Sequence, residues 1–203
     1  DPGMAGRYSL SYRDPVWWEI MTWGGYSDKN FDVNDMGFMR RNNSWDWGLR
    51  GKIRRDVPKG IFLKQELSLR VGARGNNDGL ITSKDIDFEQ ENTFMNYWST
   101  GININLSPDV YEDDDLFRDS RAMVIKDEAW QSYELGFSTD RRKRIILNPS
   151  IGYTHGKVRG WGHSYNMRVM IRPTDYINFT IMTHNGDHPS AMQWVGIEED
   201  SVR

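Results

Sequence analysis

Two adjacent segments within residues 43–74 alternate apolar and charged side chains with a period of two, and the short turn at residues 57–60 joins them. In the first segment, for example, Trp45 and Trp47 flank Asp46. A strand points successive side chains to opposite sides, so the pattern predicts a β-hairpin with one apolar and one charged face. At roughly 3.3 Å per residue the strands are about 35–40 Å long. That length is enough to cross a bilayer, which takes about 9–11 tilted strand residues.

Composition favours a barrel over a soluble core. Hydrophobic residues make up 37% of the 203 residues and mean hydropathy is −0.73, yet 13% are aromatic and 9 are Trp. A soluble domain of this size usually draws more on Leu, Val and Ala. We predict an all-β chain, an antiparallel up-and-down transmembrane β-barrel of which about ten strands are present. A soluble all-β protein that binds or hydrolyses carbohydrate remains the alternative, because its strands alternate too.

Several other classes of function are excluded. The absence of cysteine rules out disulfides, thiol nucleophiles and thiolate metal sites. A net charge of −3 provides no basic excess for nucleic acid. No apolar run approaches the roughly 18 residues of a membrane helix. Since there is no signal peptide at the start and no terminal aromatic strand at the end, we expect residues 1–203 to be part of a single, longer barrel domain.

Further alternating segments predict the remaining strands. They cover residues 7–13, 16–23, 85–106, 129–139, 144–154, 160–172 and 175–185, with a last strand starting near residue 192. Apolar residues of these strands should face lipid, among them Trp47, Leu49, Leu67, Leu69, Ile102, Ile104, Val169 and Ile171.

The charged residues that alternate with this apolar set are predicted to line the lumen. They are Arg50, Lys52, Arg54, Lys64, Glu66, Arg70, Arg74, Asp87, Glu89 and Glu91. Such residues can set the selectivity of a pore, or they can stabilise the wall through cross-strand ion pairs. We favour the structural role because both signs occur on neighbouring strands.

The long segment 107–128 breaks the expected grouping of connections, since short turns should gather at one rim and long loops at the other. With the 57–60 turn on the short-turn rim, this segment falls on the same rim. Either one strand has been miscounted, or the segment crosses the lumen as a partial plug. The predicted plug residues are Asp113, Asp114, Asp115, Arg118 and Arg121.

Catalytic and metal signals are weak. The candidate calcium ligands are Asp28, Asp32, Asn34 and Asp35, although a solvated acidic loop is favoured and no other cofactor is expected. Glu89 and Glu91 share a strand face, as many non-catalytic pairs do, so we expect no enzyme activity.

Tryptophan is abundant near predicted strand ends, where aromatic girdles of membrane barrels lie. Sugar-stacking platforms are the competing interpretation. The residues concerned are Trp17, Trp18, Trp23, Trp45, Trp47, Trp98, Trp130 and Trp161.

Short motifs within residues 30–41, 117–123, 138–143, 152–153 and 172–174 add a family resemblance. In their order and spacing they resemble the family called domain of unknown function 5916, over about residues 24–203. The resemblance implies a Gram-negative outer-membrane barrel that follows a signal peptide and a β-sandwich similar to family-9 carbohydrate-binding modules. The family has no established activity, so the role is our own hypothesis: passage across the outer membrane, or anchoring of a β-sandwich that binds glycan. The expected partners are the lipid bilayer, lipopolysaccharide or glycan, and envelope proteins.

Overall fold

The computed structural model describes residues 3–31, 42–112, 125–157 and 160–187. No helix in these ranges is long and apolar enough to cross a membrane. The strands are β1 (Ala5–Arg13), β2 (Trp18–Ser27), β3 (Ser44–Arg55), β4 (Phe62–Asn76), β5 (Ile81–Phe94), β6 (Ser99–Ser107), β7 (Val110–Glu112), β8 (Ile125–Asp127), β9 (Trp130–Ser138), β10 (Ile145–Gly156), β11 (Gly160–Thr174) and β12 (Ile177–Asp187).

Ten of the strands form one antiparallel sheet in the order β1-β2-β3-β4-β5-β6-β9-β10-β11-β12. The short strands β7 and β8 pair with each other in the connection between β6 and β9. This arrangement confirms the predicted all-β antiparallel sheet of about ten strands. Strands β1 and β12 are its edges, and no contact joins them in the described ranges.

The predicted single strand over residues 85–106 is wrong, because a turn at residues 95–98 divides it into β5 and β6. The amide of Phe94 donates to the carbonyl of Trp98 at 2.8 Å, and the amide of Tyr97 donates to the carbonyl of Phe94 at 2.8 Å. Tyr97 adopts a left-handed conformation with φ of 63°. Residues 95–98 contain neither Gly nor Pro, and Asn96 is the single residue there that favours a turn.

Counting this extra strand places both long connections on one rim. The short-turn rim carries 14–17, 56–61, 95–98, 139–144 and 175–176, none longer than six residues. The long-loop rim carries the long connections 28–43 and 108–129 together with the short ones at 77–80 and 157–159. The long segment after β6 thus lies on the long-loop rim, and no crossing of the lumen is needed to explain it. The predicted plug residues Asp113, Asp114, Asp115, Arg118 and Arg121 lie outside the described residues.

Cross-strand register assigns each strand residue to one of two faces. One row of directly opposed partners contains Leu69, Phe88 and Ile104, and the next row contains Ser68 and Glu89. The first row belongs to an apolar face and the second to a polar face. The eight residues expected to face lipid all lie on the apolar face. The ten residues expected to line the lumen all lie on the polar face.

The apolar face is uncovered. In the described chain the buried hydrophobic residues are Val110 and Ile146, whereas Leu10 is 69% exposed, Leu69 49% and Ile181 57%. No second layer packs against the ten-stranded sheet in the described ranges, where β7 and β8 are the remaining strands. The apolar side chains therefore form a continuous exposed surface rather than a core.

Two of the tryptophans assigned to girdles, Trp23 and Trp130, lie instead on the polar face, in register with Gly48 and Gly156. The indole of Trp23 covers Gly48 so closely that a Cβ there would lie 2.2 Å from its Cζ2. Gly51 is in the same strand but on the apolar face, where an added Cβ would meet nothing within 4 Å. Glycine at position 48 is therefore required by the packing of the indole.

Replacing Gly48 with Ala should lower the free energy of unfolding by about 1–3 kcal/mol, because the Trp23 indole must move. The matched variant Gly51→Ala should change it by less than about 0.5 kcal/mol. Urea titration followed by far-ultraviolet circular dichroism measures both. Equal losses in the two variants would contradict the packing argument.

Candidate functional site

The polar face encloses a concave pocket of about 640 Å³. Seven strands contribute to its lining, namely β4, β5, β6, β9, β10, β11 and β12. Since β4 and β12 lie far apart in the order of the sheet, the sheet must curve around its polar face for both to reach one pocket. The pocket therefore lies on the inner side of a curved sheet, opposite the exposed apolar face.

The floor of the concave pocket consists of small residues. Alternate positions of β6, β9 and β10 place Ser99, Gly101, Gly136, Ser138 and Ser150 there. These side chains are too short to fill the concave side, so open volume remains. The prediction from sequence missed this site because it selected candidate residues by their charge, and the floor of the pocket is uncharged. The available signal was Ser, Gly or Asn at every second position of β6 and at most of the alternate positions of β9 and β10.

Long charged side chains cover the polar face on β3, β4 and β5 instead. Lys52 Nζ lies 2.5 Å from Glu66 Oε1, and Arg70 Nε lies 2.6 Å from Asp87 Oδ2. Arg50 Nε donates to Ser68 Oγ at 3.2 Å. Cross-strand pairs of this kind stabilise a sheet by about 0.2–1 kcal/mol each. Much of the predicted lumen set therefore forms a network that closes off this part of the polar face.

Three pocket carboxylates are not part of that network. Glu89, Glu91 and Glu134 line the pocket and form no ion pair among the described residues. Glu134 lies in register with Asn103 on one side and Gly152 on the other, neither of which carries charge. These carboxylates are available to a ligand.

Basic and imidazole groups line the opposite part of the pocket. Arg168 lies in register with Asn148 and Met182, and it forms no ion pair in the described part of the chain. Nearby, Asn166 Oδ1 accepts from Nδ1 of His184 at 2.5 Å, and its amide donates to Ser150 at 3.1 Å. The pocket thus has an acidic part on β5 and β9 and a basic part on β11.

The short-turn rim beside the pocket is held by an ion pair. Arg142 contacts Asp140 through two hydrogen bonds of 2.9 Å, and its guanidinium lies 3.1 Å from the centre of the Tyr97 ring. The turn between β9 and β10 is thereby joined to the turn between β5 and β6. Hydrogen bonds from Arg142 lower the pKa of Asp140 from 3.8 to about 2.

Of the candidate calcium ligands, Asp28 is the one that the structure describes. Its carboxylate accepts backbone N–H bonds from Met4 at 2.7 Å, from Asn30 at 2.7 Å and from Phe31 at 2.9 Å. The bond from Met4, followed by those from Asn30 and Phe31, lowers the pKa of this carboxyl. Asp28 therefore ties the start of the long loop to β1. Asp32, Asn34 and Asp35 lie outside the described residues, within which no group of three or more His, Asp or Glu could hold a metal.

The Asp140–Arg142 pair predicts a defined pH dependence. Because the folded pKa of Asp140 is depressed, its contribution to stability is present above the unfolded pKa of about 3.9 and is lost as pH falls through about 2. Asp140→Asn should thus destabilise most above about pH 4 and progressively less toward pH 2. Unfolding titrations at several pH values measure this difference. Asp175→Asn, on the same rim and without an ion pair among the described residues, is the control.

Comparison with known proteins adds one finding. No curated protein and no solved structure matches the chain. A family model described as Domain of unknown function (DUF5916) matches residues 13–202, a range that contains the pocket and every strand from β2 to β12. The resemblance found in the short motifs is therefore confirmed across most of the chain, which belongs to the DUF5916 family.

Proposed function

We propose that this chain forms part of an outer-membrane β-barrel of a Gram-negative bacterium, through which hydrophilic solutes pass. The apolar face contacts lipid and the polar face lines the lumen. The observation that carries the proposal is the exposed apolar surface that continues across the ten-stranded sheet. Soluble monomers rarely expose contiguous apolar patches larger than about 300–600 Å².

The position of aromatic residues on this face supports a lipid contact. On the apolar face of β2, Trp18 lies toward the short-turn rim and Tyr26 toward the long-loop rim, with Ile20 between them. Trp47 lies toward the long-loop rim in β3, and Phe179 lies toward the short-turn rim in β12. Membrane barrels place aromatic girdles at both interfaces and aliphatic residues between. The two bands are the pattern expected where the bilayer meets water on each side.

The segregation of the connections supports the same proposal. Outer-membrane barrels have short turns at the periplasmic rim and longer loops outside. The two long connections, 28–43 and 108–129, share one rim with the short connections 77–80 and 157–159, and all five connections on the opposite rim have six residues or fewer. By this analogy, the Asp140–Arg142 rim faces the periplasm.

Passage is favoured over anchoring alone because the polar face retains open volume. A barrel that served solely as an anchor would have no need of the pocket of about 640 Å³ floored by Ser and Gly. Anchoring of a periplasmic or surface module that binds glycan, and contacts with lipopolysaccharide or envelope proteins, are compatible with passage and form part of the same proposal.

Fractionation tests the location. Expressed with a signal peptide in a Gram-negative host, the protein should sediment with outer membranes and require detergent to stay monodisperse. Recovery as a monodisperse protein in buffer without detergent would reject the membrane proposal in favour of the soluble all-β alternative.

A charge placed on the apolar face tests which side meets lipid. Leu69→Arg should lower the free energy of unfolding in lipid vesicles by about 2–4 kcal/mol if the side chain lies near the midplane. Asn103→Arg places the same charge on the polar face and should cost less than about 1 kcal/mol. Urea titration in vesicles measures both variants. A larger loss for Asn103→Arg would mean that the two faces have been assigned the wrong way round.

A further inference from the structure

We propose that the concave pocket binds a zwitterionic solute of about the length of a short peptide. Its ammonium group would lie toward Glu134, with Glu89 and Glu91 on the same side, and its carboxylate toward Arg168. The proposal deepens the passage function and rests on it, since the pocket is taken to lie in the lumen. It names the class of solute that the pocket selects.

The acidic part of the pocket is suited to a cation from outside the protein. Glu134 and Glu89 lie in one cross-strand row, separated by Asn103. The nearest cations are engaged by other carboxylates of the polar face, since Lys52 and Lys64 pair with Glu66, and Arg70 pairs with Asp85 and Asp87. An ammonium group in the pocket would supply the charge that these carboxylates lack.

The basic part is suited to a carboxylate. Arg168 is exposed toward the pocket, and its cross-strand neighbours Asn148 and Met182 carry no charge. A guanidinium binds a carboxylate through two parallel hydrogen bonds, which gives it a geometric preference for this group. Arg141, whose Nε lies 3.5 Å from Ser138 Oγ at the adjoining rim, adds positive charge to the same side.

The separation of the two parts defines the length of the ligand. From Glu134 the register crosses Gly152 to Ser164, and Arg168 follows four residues later on β11. The path crosses two strand spacings of about 4.8 Å and then runs along four residues of about 3.3 Å each. On a flat sheet the Cα atoms of Glu134 and Arg168 would therefore be about 16 Å apart, and on a concave sheet they are closer. Because an extended peptide spans about 3.3–3.6 Å per residue, between about four and five residues bridge the flat-sheet distance, and about four bridge the shorter one across the concave face.

The pocket floor between Glu134 and Arg168 favours recognition of the charged termini of a peptide over recognition of its side chains. Gly101, Gly136 and Ser150 present no long side chain, and Asn166 already bonds to Ser150 and His184. The pocket volume of about 640 Å³ lies within the roughly 300–1,000 Å³ of small-molecule sites. Charge at the two ends would therefore decide which solutes bind.

Calorimetric titration of the full chain with three tetra-alanine probes tests the proposal. One probe has free termini, one is N-acetylated and one is C-amidated. The free peptide should bind at least about tenfold more tightly than either capped peptide, since each cap removes one charge-assisted contact.

Variants assign each end of the ligand. Arg168→Gln should weaken the free peptide about tenfold and leave the affinity for the C-amidated peptide unchanged, because that peptide has no carboxylate to lose. The triple variant Glu89→Gln, Glu91→Gln and Glu134→Gln should weaken the free peptide about tenfold and leave the affinity for the N-acetylated peptide unchanged, because that peptide has no ammonium group to lose. Arg74→Gln, on the same face but outside this pocket, should leave all three affinities unchanged.

Equal binding of free and capped peptides, or no binding of any probe, would overturn this proposal. The titrations are made in whichever medium keeps the protein monodisperse, detergent micelles or buffer. A failure of peptide binding in detergent-dependent protein would thus leave the barrel proposal standing, whereas detergent-free solubility would reject the barrel whatever the peptides do.

Discussion

Backbone pairing between long antiparallel strands is the constraint on which the rest of this structure depends. Once Leu69 is in register with Phe88, and Phe88 with Ile104, every residue of these strands is assigned to a face, because the side-chain period is two. A shift of one residue would exchange the apolar and polar sets. The composition of the apolar face and that of the polar face, which carries the pocket, both follow from this register.

The polar face is divided by the size of its side chains as well as by their charge. Strands β3, β4 and β5 carry long charged residues that pair across strands, as Arg70 does with Asp87. Strands β6, β9 and β10 carry mainly Ser, Gly and Asn on this face, of which Ser138 is buried. The first group fills the space above the sheet and the second leaves it open. A solute site on this face therefore belongs where side chains are small, with charged groups at its borders.

The turn at residues 95–98 divides the predicted strand over residues 85–106 into β5 and β6 and so changes the number of strands. The turn at residues 95–98 depends on Tyr97 in a left-handed conformation and on the Asn96 side chain, which accepts from the amide of Trp98 at 3.1 Å. The ring of Tyr97 is covered by Arg142, a residue distant in the chain. The local sequence of residues 94–98, which is rich in aromatic residues, therefore predicts a continuous strand, whereas the folded chain reverses direction there.

By itself the sequence determined the all-β class, the antiparallel hairpins and the two faces, since alternation is a local property that each strand carries. It also contained the motifs of the DUF5916 family, to which the chain belongs. The tertiary structure alone decided that β4 and β12 border one pocket, that Glu134 and Arg168 face it without ion pairs among the described residues, and that Trp23 covers Gly48. These features depend on curvature and on contacts between residues far apart in the chain, which the alternation within a single strand does not encode.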